Sequence, residues 1–165
     1  MYQKKMIEKE EKVINDLVYY ENLKIVQNKN YFNFSLDSIL LPNFAQITEN
    51  TKMIMDLCTG NAPVPIVLST KTKAKIIGIE LQKEIYDLAL ESIKINKLDK
   101  QIEILNENIN NVPNLYETDT FDLITCNPPY FKVNDKNFFN DNIEKVIARH
   151  EVEITLSELM IIVTK

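Results

Sequence analysis

Short apolar runs alternate with segments of helical periodicity through most of this chain. The runs predict four strands, which cover residues 53–57, 74–79, 102–109 and 121–126. Helices are predicted at residues 36–44, 64–69, 83–96 and 156–163. The helix at 83–96 has the clearest pattern, because its apolar and small residues recur at helical spacing on one face. This order of strand and helix is typical of an α/β fold with a parallel, doubly wound sheet.

The first fifty residues have a different pattern. Residues up to about Asn15 are charged and compatible with a helix. Two apolar stretches at residues 17–20 and 23–26 then predict a hairpin that turns around Glu21-Asn22. We therefore expect two parts, an N-terminal helix and hairpin segment at residues 1–50 that packs on the core, and the core itself at residues 51–165.

Composition places the chain among ordinary globular domains. It has 165 residues, of which 45% are hydrophobic, and no apolar run approaches the length of a membrane span. The first residues lack the apolar centre of a signal peptide. A cytoplasmic protein with no membrane partner is expected. The two cysteines, Cys58 and Cys126, lack metal-ligand spacing, and His150 is the single histidine, so no metal site is predicted.

The string Asn127-Pro128-Pro129-Tyr130 follows the fourth predicted strand and carries the most specific chemistry. An Asn oxygen and a main-chain carbonyl can each accept a hydrogen from a planar amine. The prolines fix φ and remove N–H donors, and the tyrosine ring can stack on a flat substrate. The string therefore predicts the amine-methylating loop of an S-adenosylmethionine-dependent methyltransferase. The competing interpretation is a strand that ends in a Pro-Pro turn, with Tyr130 only packing.

A second group of polar residues lies at the ends of the first two core strands. The strand that contains Asp56 leads into Cys58-Thr59-Gly60-Asn61-Ala62, and a predicted helix follows. Backbone amides and a helix N-terminus can meet a polar ligand at such a turn. The next strand ends at Glu80, near the spacing expected of an acidic residue that binds ribose hydroxyls. The sequence therefore predicts a cofactor site here.

With these residues the chain resembles the bacterial tRNA1(Val) adenine-37 N6-methyltransferase family, within the class I methyltransferases. The likeness runs from about Leu17 to the last residue and includes two further segments, residues 32–41 and 148–151. It implies a Rossmann-like sheet and S-adenosylmethionine as cofactor. The implied cofactor-binding residues are Asp56, Cys58, Gly60, Glu80, Asn108 and Asn127. The implied catalytic residues, which hold the target adenine, are Asn127, Pro128, Pro129 and Tyr130.

The sequence departs from the family pattern at two positions. Ala62 stands where the turn often has glycine, and alanine disfavours positive φ. Asn108 stands where the family commonly has an aspartate that binds the adenine amine of the cofactor. An asparagine can accept through its oxygen, but it also brings two donors. Weaker cofactor binding is expected.

The resemblance implies tRNA as the partner, although the net charge is −5. Phosphate binding needs Lys and Arg, so the basic residues must be segregated. Lys132 and Arg149, together with the aromatic Phe131 and Tyr130, are the predicted substrate-binding residues. A basic and aromatic segment beside a base pocket suits single-stranded RNA. The alternative is a solvated loop whose aromatic side chains fold back on the core.

Two other functions remain open at this point. A protein glutamine N5-methyltransferase also uses Asn-Pro-Pro-Tyr, but such enzymes usually carry a longer helical N-terminal domain. A non-catalytic fragment that binds RNA or a partner is the other alternative. The resemblance further implies that the sheet is truncated after the fourth core strand and its following helix. That would leave the fourth strand as an exposed sheet edge, through which self-association is expected.

Overall fold

The computed structural model describes residues 12–29, 34–128 and 156–164. Its strands are β1 (Lys12–Leu17), β2 (Tyr20–Asn28), β3 (Met53–Leu57), β4 (Lys75–Glu80), β5 (Ile102–Asn106) and β6 (Leu123–Cys126). Its helices are α1 (Asp37–Phe44), α2 (Pro63–Ser69), α3 (Lys83–Ile95), α4 (Val112–Leu115) and α5 (Leu156–Val163), with a 3-10 turn at Ile109–Asn111.

The core is a four-stranded parallel sheet in the order β5-β4-β3-β6. The order reverses between β3 and β6, since the chain first adds strands on one side of β3 and then returns to the other. In open α/β sheets, ligands bind beyond the carboxyl ends of the strands at such a switch point. The predicted Rossmann-like fold is therefore confirmed, and its topology selects one end of β3 as the place to look for a site.

Each face of the sheet has its own apolar cluster. On one side Ile54 and Ile76 pack with residues of α2, α3 and the β1–β2 hairpin. On the other side Met55, Leu57 and Ile79 pack with the segment around α4 and with Leu159 of α5. Successive residues of β3 therefore enter different clusters, as the two-residue period of a strand requires. Both faces of the sheet are covered, which explains why these strands are almost continuously apolar.

The N-terminal hairpin differs from the prediction in two ways. Residues 12–15 belong to a strand rather than a helix. The turn lies at Val18 and Tyr19, and not around Glu21-Asn22. Tyr19 takes a left-handed conformation in this turn, with φ of 67°. Burial explains the register, since this pairing brings Leu17 and Ile25 into the main cluster, where both are almost fully buried. Core packing thus outweighed the turn preference of asparagine.

The hairpin is attached to α3 by specific hydrogen bonds. The amide of Val26 donates to the hydroxyl of Ser92 at 2.9 Å, and the Asn96 side chain accepts from the Lys24 amide and donates to the Lys24 carbonyl. The side chain of Asn61, in the turn after β3, donates to the Val26 carbonyl at 2.9 Å. The hairpin therefore supports the turn that leads into α2.

No helix within residues 12–29, 34–128 and 156–164 is long and apolar enough to cross a membrane.

Candidate functional site

The predicted polar residues meet at the carboxyl end of the sheet. Asp56 lies one residue from the end of β3, Glu80 ends β4, and Asn127 directly follows β6. The parallel register sets Asp56 opposite Thr125 on β6 and Glu80 opposite Asn106 on β5. The sheet thus brings together side chains that are far apart in sequence, at the switch point between β3 and β6.

Asp56 is buried and accepts two short hydrogen bonds. The hydroxyls of Thr59 and Thr125 each donate to one of its carboxylate oxygens at 2.6 Å. Burial raises the pKa of Asp56, the hydrogen bonds from Thr125 and Thr59 lower it, the charge of Glu80 raises it, and the net pKa is about 7. Asp56 therefore holds the β3 turn and β6 together, and it titrates near neutral pH.

Glu80 is also buried, and its contacts organise the adjoining loops. Its two carboxylate oxygens accept hydrogen bonds from the amides of Gly60, at 2.9 Å, and Gln82, at 2.8 Å. Burial raises the pKa of Glu80, whereas these backbone hydrogen bonds lower it. The Leu81 amide also lowers the pKa of this carboxylate. A carboxylate has about four acceptor positions, so these three amides leave room for a further donor.

The turn after β3 has an unusual backbone, with positive φ at Cys58, Gly60 and Ala62. Gly60 has φ of 61°, and a Cβ placed there would meet nothing within 4 Å, so the turn is open on the side of Gly60. Ala62 takes φ of 72° although alanine disfavours it, and it is fully buried at the start of α2. The departure noted at Ala62 is thus tolerated by packing rather than avoided.

The second of the two glycines in the chain lies beside this turn. Gly78 pairs with Asp56 across the sheet, and a Cβ there would come within 2.7 Å of the Ile104 side chain and 3.0 Å of the Thr59 hydroxyl. Glycine at this position lets Thr59 approach the sheet and reach Asp56. Both glycines in the chain therefore serve this site.

The start of α2 is less suited to anions than the sequence pattern suggested. Pro63 and Pro65 occupy its first turn and carry no N–H group. Few amide donors remain there, and two carboxyl groups, Asp56 and Glu80, lie close by. A phosphate would meet few donors and two acidic groups, whereas a cationic or hydroxyl-bearing ligand fits this chemistry.

Asn127 is in contact with the N-terminal helix α1. Its side-chain nitrogen donates to the hydroxyl of Ser38 on α1 at 3.0 Å. Ser38 is 5% exposed and lies in the first turn of the helix. The amide that the sequence analysis selected thus has one end engaged by a buried hydroxyl.

The loop after β5 contains the Asn108 position. The Asn108 side-chain oxygen accepts from the Asn110 amide at 2.9 Å and so caps the 3-10 turn. The Asn106 side chain donates to the carbonyls of Glu80 and Leu81, each at 2.9 Å. The asparagine at position 108 thus has a structural role as the cap of the 3-10 turn. Its role in binding a cofactor stays a prediction.

The two cysteines are neighbours, as their positions at adjacent strand ends predict. Both are free thiols and partly buried. A hydrogen bond with the Cys58 thiol, together with burial, raises the pKa of Cys126 above its usual range. Cys126 is therefore a thiol rather than a thiolate, which makes it a poor nucleophile.

Several predicted residues lie outside the part of the chain that the structure describes: Pro129, Tyr130, Phe131, Lys132 and Arg149. Pro128 is described and is partly exposed. Among the described residues, no cluster of His, Cys, Asp and Glu could hold a metal ion.

Sequence reasoning missed three residues that the structure adds to the site, namely Thr59, Thr125 and Ser38. Thr59 follows Asp56 by three residues, a spacing at which a hydroxyl can reach back to a carboxylate, so a local signal existed. Thr125 and Ser38 carry no local signal, because their partners are 69 and 89 residues away.

The sequence was compared with known protein families. Residues 48–160, more than half of the chain, match the methyltransferase domain family. The chain belongs to this family. The resemblance to the tRNA1(Val) adenine-37 N6-methyltransferases is also confirmed, since curated proteins of that name are similar to it over most of its length.

Two relatives illustrate the degree of similarity. The tRNA1(Val) (adenine(37)-N6)-methyltransferase of Cytophaga hutchinsonii is 24% identical over 150 residues, which cover 91% of this chain and 61% of the relative. That of Glaesserella parasuis is 34% identical over 97 residues, or 58% of this chain and 40% of the relative. The chain spans about three fifths of the length of the first of these relatives.

Solved structures agree on the fold. An S-adenosylmethionine-dependent methyltransferase from Agrobacterium tumefaciens superposes with a TM-score of 0.58 at 15% identity, covering 79% of this chain and 43% of its own. A tRNA (uracil-54, C5)-methyltransferase from Pyrococcus abyssi, in complex with S-adenosyl-L-homocysteine, gives 0.55 at 19% identity, with coverages of 72% and 28%. At these identities the likeness concerns the fold alone.

Proposed function

We propose that this chain is the cofactor-binding part of an S-adenosylmethionine-dependent methyltransferase that modifies the N6 amine of an adenosine in tRNA, adenosine 37 of tRNA1(Val) by similarity. One observation carries the proposal: the Asn-Pro-Pro-Tyr asparagine lies at the same end of the sheet as the Asp56 and Glu80 carboxyl groups. An amine acceptor and a cofactor site thus adjoin each other in a methyltransferase domain.

The residues present fit this cofactor. Glu80 is assigned to the ribose hydroxyls, because its carboxylate has about four acceptor positions and the backbone amides of Gly60, Leu81 and Gln82 account for three. The side-chain oxygen of Gln82 is buried and has no hydrogen-bond partner among the described residues, as expected of an acceptor that a bound group satisfies. The open side of Gly60 leaves space for the ligand.

Charge distinguishes this cofactor from a dinucleotide. S-adenosylmethionine, when bound, supplies an electrophilic methyl group on a positively charged sulfonium. Asp56 and Glu80 favour positive charge, and the prolines of α2 remove the amides that a pyrophosphate would need. The small number of amide donors and the two acidic groups at the turn therefore support the methyl donor.

Asn127 has the central role toward the substrate. Its side-chain oxygen is assigned to accept a hydrogen of the target amine, which orients the nitrogen lone pair and stabilises the positive charge that develops on nitrogen as the methyl group is gained. The amine nitrogen gains the methyl group as the bond between that methyl carbon and the sulfonium sulfur breaks, which leaves S-adenosyl-L-homocysteine, and the excess proton passes from the nitrogen to solvent. Tyr130 is assigned to stack on the adenine, and Phe131, Lys132 and Arg149 to contact the RNA, which remain predictions from the sequence.

Two measurements test the proposal. Calorimetry of the 165-residue chain with S-adenosylmethionine should show one site. Glu80→Ala should weaken binding by about tenfold or more, since hydrogen bonds to a charged group contribute about 1.5–3 kcal/mol each. Glu80→Gln should weaken it less. Glu84→Ala is the matched control, because Glu84 is exposed on the first turn of α3, and it should bind like the unmodified chain.

Single-turnover methylation then tests the substrate. With excess protein, unmodified tRNA and labelled cofactor, mass spectrometry of the digested RNA should find N6-methyladenosine. Asn127→Ala should lower the rate by about 100-fold, the usual cost of losing one charge-stabilising contact, with cofactor affinity unchanged. Cofactor binding without N6-methyladenosine, together with methylation of a glutamine-containing peptide, would replace the proposal by the glutamine N5-methyltransferase.

A further inference from the structure

We infer that Ser38 is a positioning residue for methyl transfer, because it fixes the orientation of the Asn127 side-chain amide. This inference rests on the proposed function of the site. It assigns a role to the N-terminal segment, which otherwise only packs against the cofactor-binding core.

The contact joins two distant parts of the chain. The Asn127 side-chain nitrogen lies 3.0 Å from the Ser38 hydroxyl oxygen, and the two residues are 89 positions apart. Ser38 is 5% exposed, and its neighbours Ile39 and Pro42 are buried on the same side of α1. The packing of α1 therefore fixes the position of the Ser38 hydroxyl.

Helix α1 is itself tied to the cofactor turn. It packs against α2, which begins immediately after the turn that contains Gly60 and Ala62. Ile39 lies in the same apolar cluster as Ala62 and Ile66. One rigid unit therefore carries both the turn assigned to the cofactor and the hydroxyl that contacts Asn127.

The chemistry of an amide makes this contact relevant. A primary amide has an acceptor oxygen and a donor nitrogen, and only the oxygen can accept a hydrogen from the target amine. If the side chain turned over, its NH2 group would face the substrate nitrogen with a donor and repel it. In the observed orientation the Ser38 hydroxyl accepts from the Asn127 side-chain nitrogen, so the amide oxygen is directed away from Ser38, and the contact limits rotation about the side-chain bond.

The test compares Ser38→Ala, which removes the acceptor, with Ser35→Ala, which makes the same chemical change three residues earlier, before α1 begins, and leaves the contact to Asn127 in place. Ser38→Ala should lower the single-turnover rate of N6-methyladenosine formation by about tenfold or more, since misplaced groups cost up to 100-fold. Cofactor affinity should stay within about twofold. Ser35→Ala should change neither quantity. An unchanged rate in Ser38→Ala would overturn the inference.

A double-mutant cycle separates positioning from general loosening of the helix. In an Asn127→Ala background, Ser38→Ala should cause no further loss of rate, because its effect passes through the missing amide. Equal losses in both backgrounds would show that Ser38 acts only through the fold, and would overturn the inference.

An activity-independent measurement distinguishes this inference from the proposed function. The side-chain NH2 resonances of Asn127, assigned by their loss in Asn127→Asp, should shift in Ser38→Ala and stay unchanged in Ser35→Ala. Shifted resonances in a chain that forms no N6-methyladenosine would reject the proposed function while retaining the contact. Unshifted resonances would reject the contact itself.

Discussion

Asp56 shows at the scale of one residue how a site can act against stability. Its carboxyl group is almost fully buried, and its pKa of about 7 lies well above that of an exposed aspartate. The hydroxyls of Thr59 and Thr125 compensate for only part of the lost hydration. A buried acidic group whose pKa is strongly raised is typical of functional sites rather than of positions that stabilise a fold.

The pH dependence of stability follows from this raised pKa. Below about pH 4 the Asp56 carboxyl group is protonated in both the folded and the unfolded chain, so its ionisation does not affect the free energy of unfolding. Between pH 4 and 7 the group ionises only in the unfolded chain, so the free energy of unfolding falls as pH rises. At about 1.4 kcal/mol per pKa unit, the loss is on the order of 4 kcal/mol by pH 7. In Asp56→Asn the free energy of unfolding, relative to the unmodified chain, should therefore rise between pH 4.5 and 7.5, as measured by urea denaturation.

Asp122 provides a control of opposite sign. Hydrogen bonds from the Lys52 and Met53 amides lower its pKa, so its contribution to stability is present above the unfolded pKa and lost as pH falls through the folded one. Asp122→Asn should therefore lose stability relative to the unmodified chain as pH rises from the acid range to neutral. A pH-independent difference in Asp56→Asn would show that Asp56 ionises like an exposed carboxyl.

At the scale of elements, short polar side chains connect the hairpin, α3 and the turn after β3. Ser92 illustrates this, since its hydroxyl accepts from the Val26 amide and donates to the Leu88 carbonyl, each at 2.9 Å. The residue is fully buried, so water cannot replace either contact. Asn61 adds a second connection from the turn to the same residue of β2.

Ser92→Ala should therefore destabilise the chain by about 1–2 kcal/mol. The unsatisfied Val26 amide costs about 1–3 kcal/mol, which the better helix propensity of alanine offsets by roughly 0.5 kcal/mol. Urea unfolding measures the total, and amide hydrogen exchange should be faster at Val26 than in the unmodified chain. Lys94→Ala, an exposed change two residues on, should be neutral. Equal exchange at Val26 in both variants would contradict the assigned role.

At the scale of the whole molecule, β6 is one of the two edge strands of the sheet within the described residues, and β5 is the other. Within the described residues β6 pairs with β3 on one side and has no strand on the other, whereas β3 and β4 are paired on both sides. Its central position in the site, with Thr125 contacting Asp56 and Asn127 following it, makes the state of this edge relevant to function. An unpaired strand edge offers amides and carbonyls to another chain.

Self-association of the 165-residue chain through β6 stays a prediction. Sedimentation velocity over a tenfold concentration range should give a sedimentation coefficient that rises with concentration. Amide exchange of Leu123–Cys126 should slow in parallel, because pairing protects the edge. A constant monomer value, with exchange at β6 independent of concentration, would contradict the prediction.

The sequence by itself determined the order of the core strands and of the main helices between them, and it placed Asp56, Glu80 and Asn127 at strand ends and Gly60 in the turn after β3. These follow from short-range periodicity and local turn chemistry, which a linear chain records directly. The family resemblance rested on the same local motifs. The hairpin turn was predicted wrongly because local preference for asparagine lost to the burial of Leu17 and Ile25.

Only the tertiary structure decided which of these residues act together. The contacts Asp56 with Thr125 and Asn127 with Ser38 join residues 69 and 89 positions apart, and neither partner has a local pattern that marks it. The raised pKa of Asp56 likewise requires burial, which arises from the packing of both sheet faces. Long-range contacts depend on how complete helices and strands pack against each other, so they cannot be deduced from short stretches of sequence.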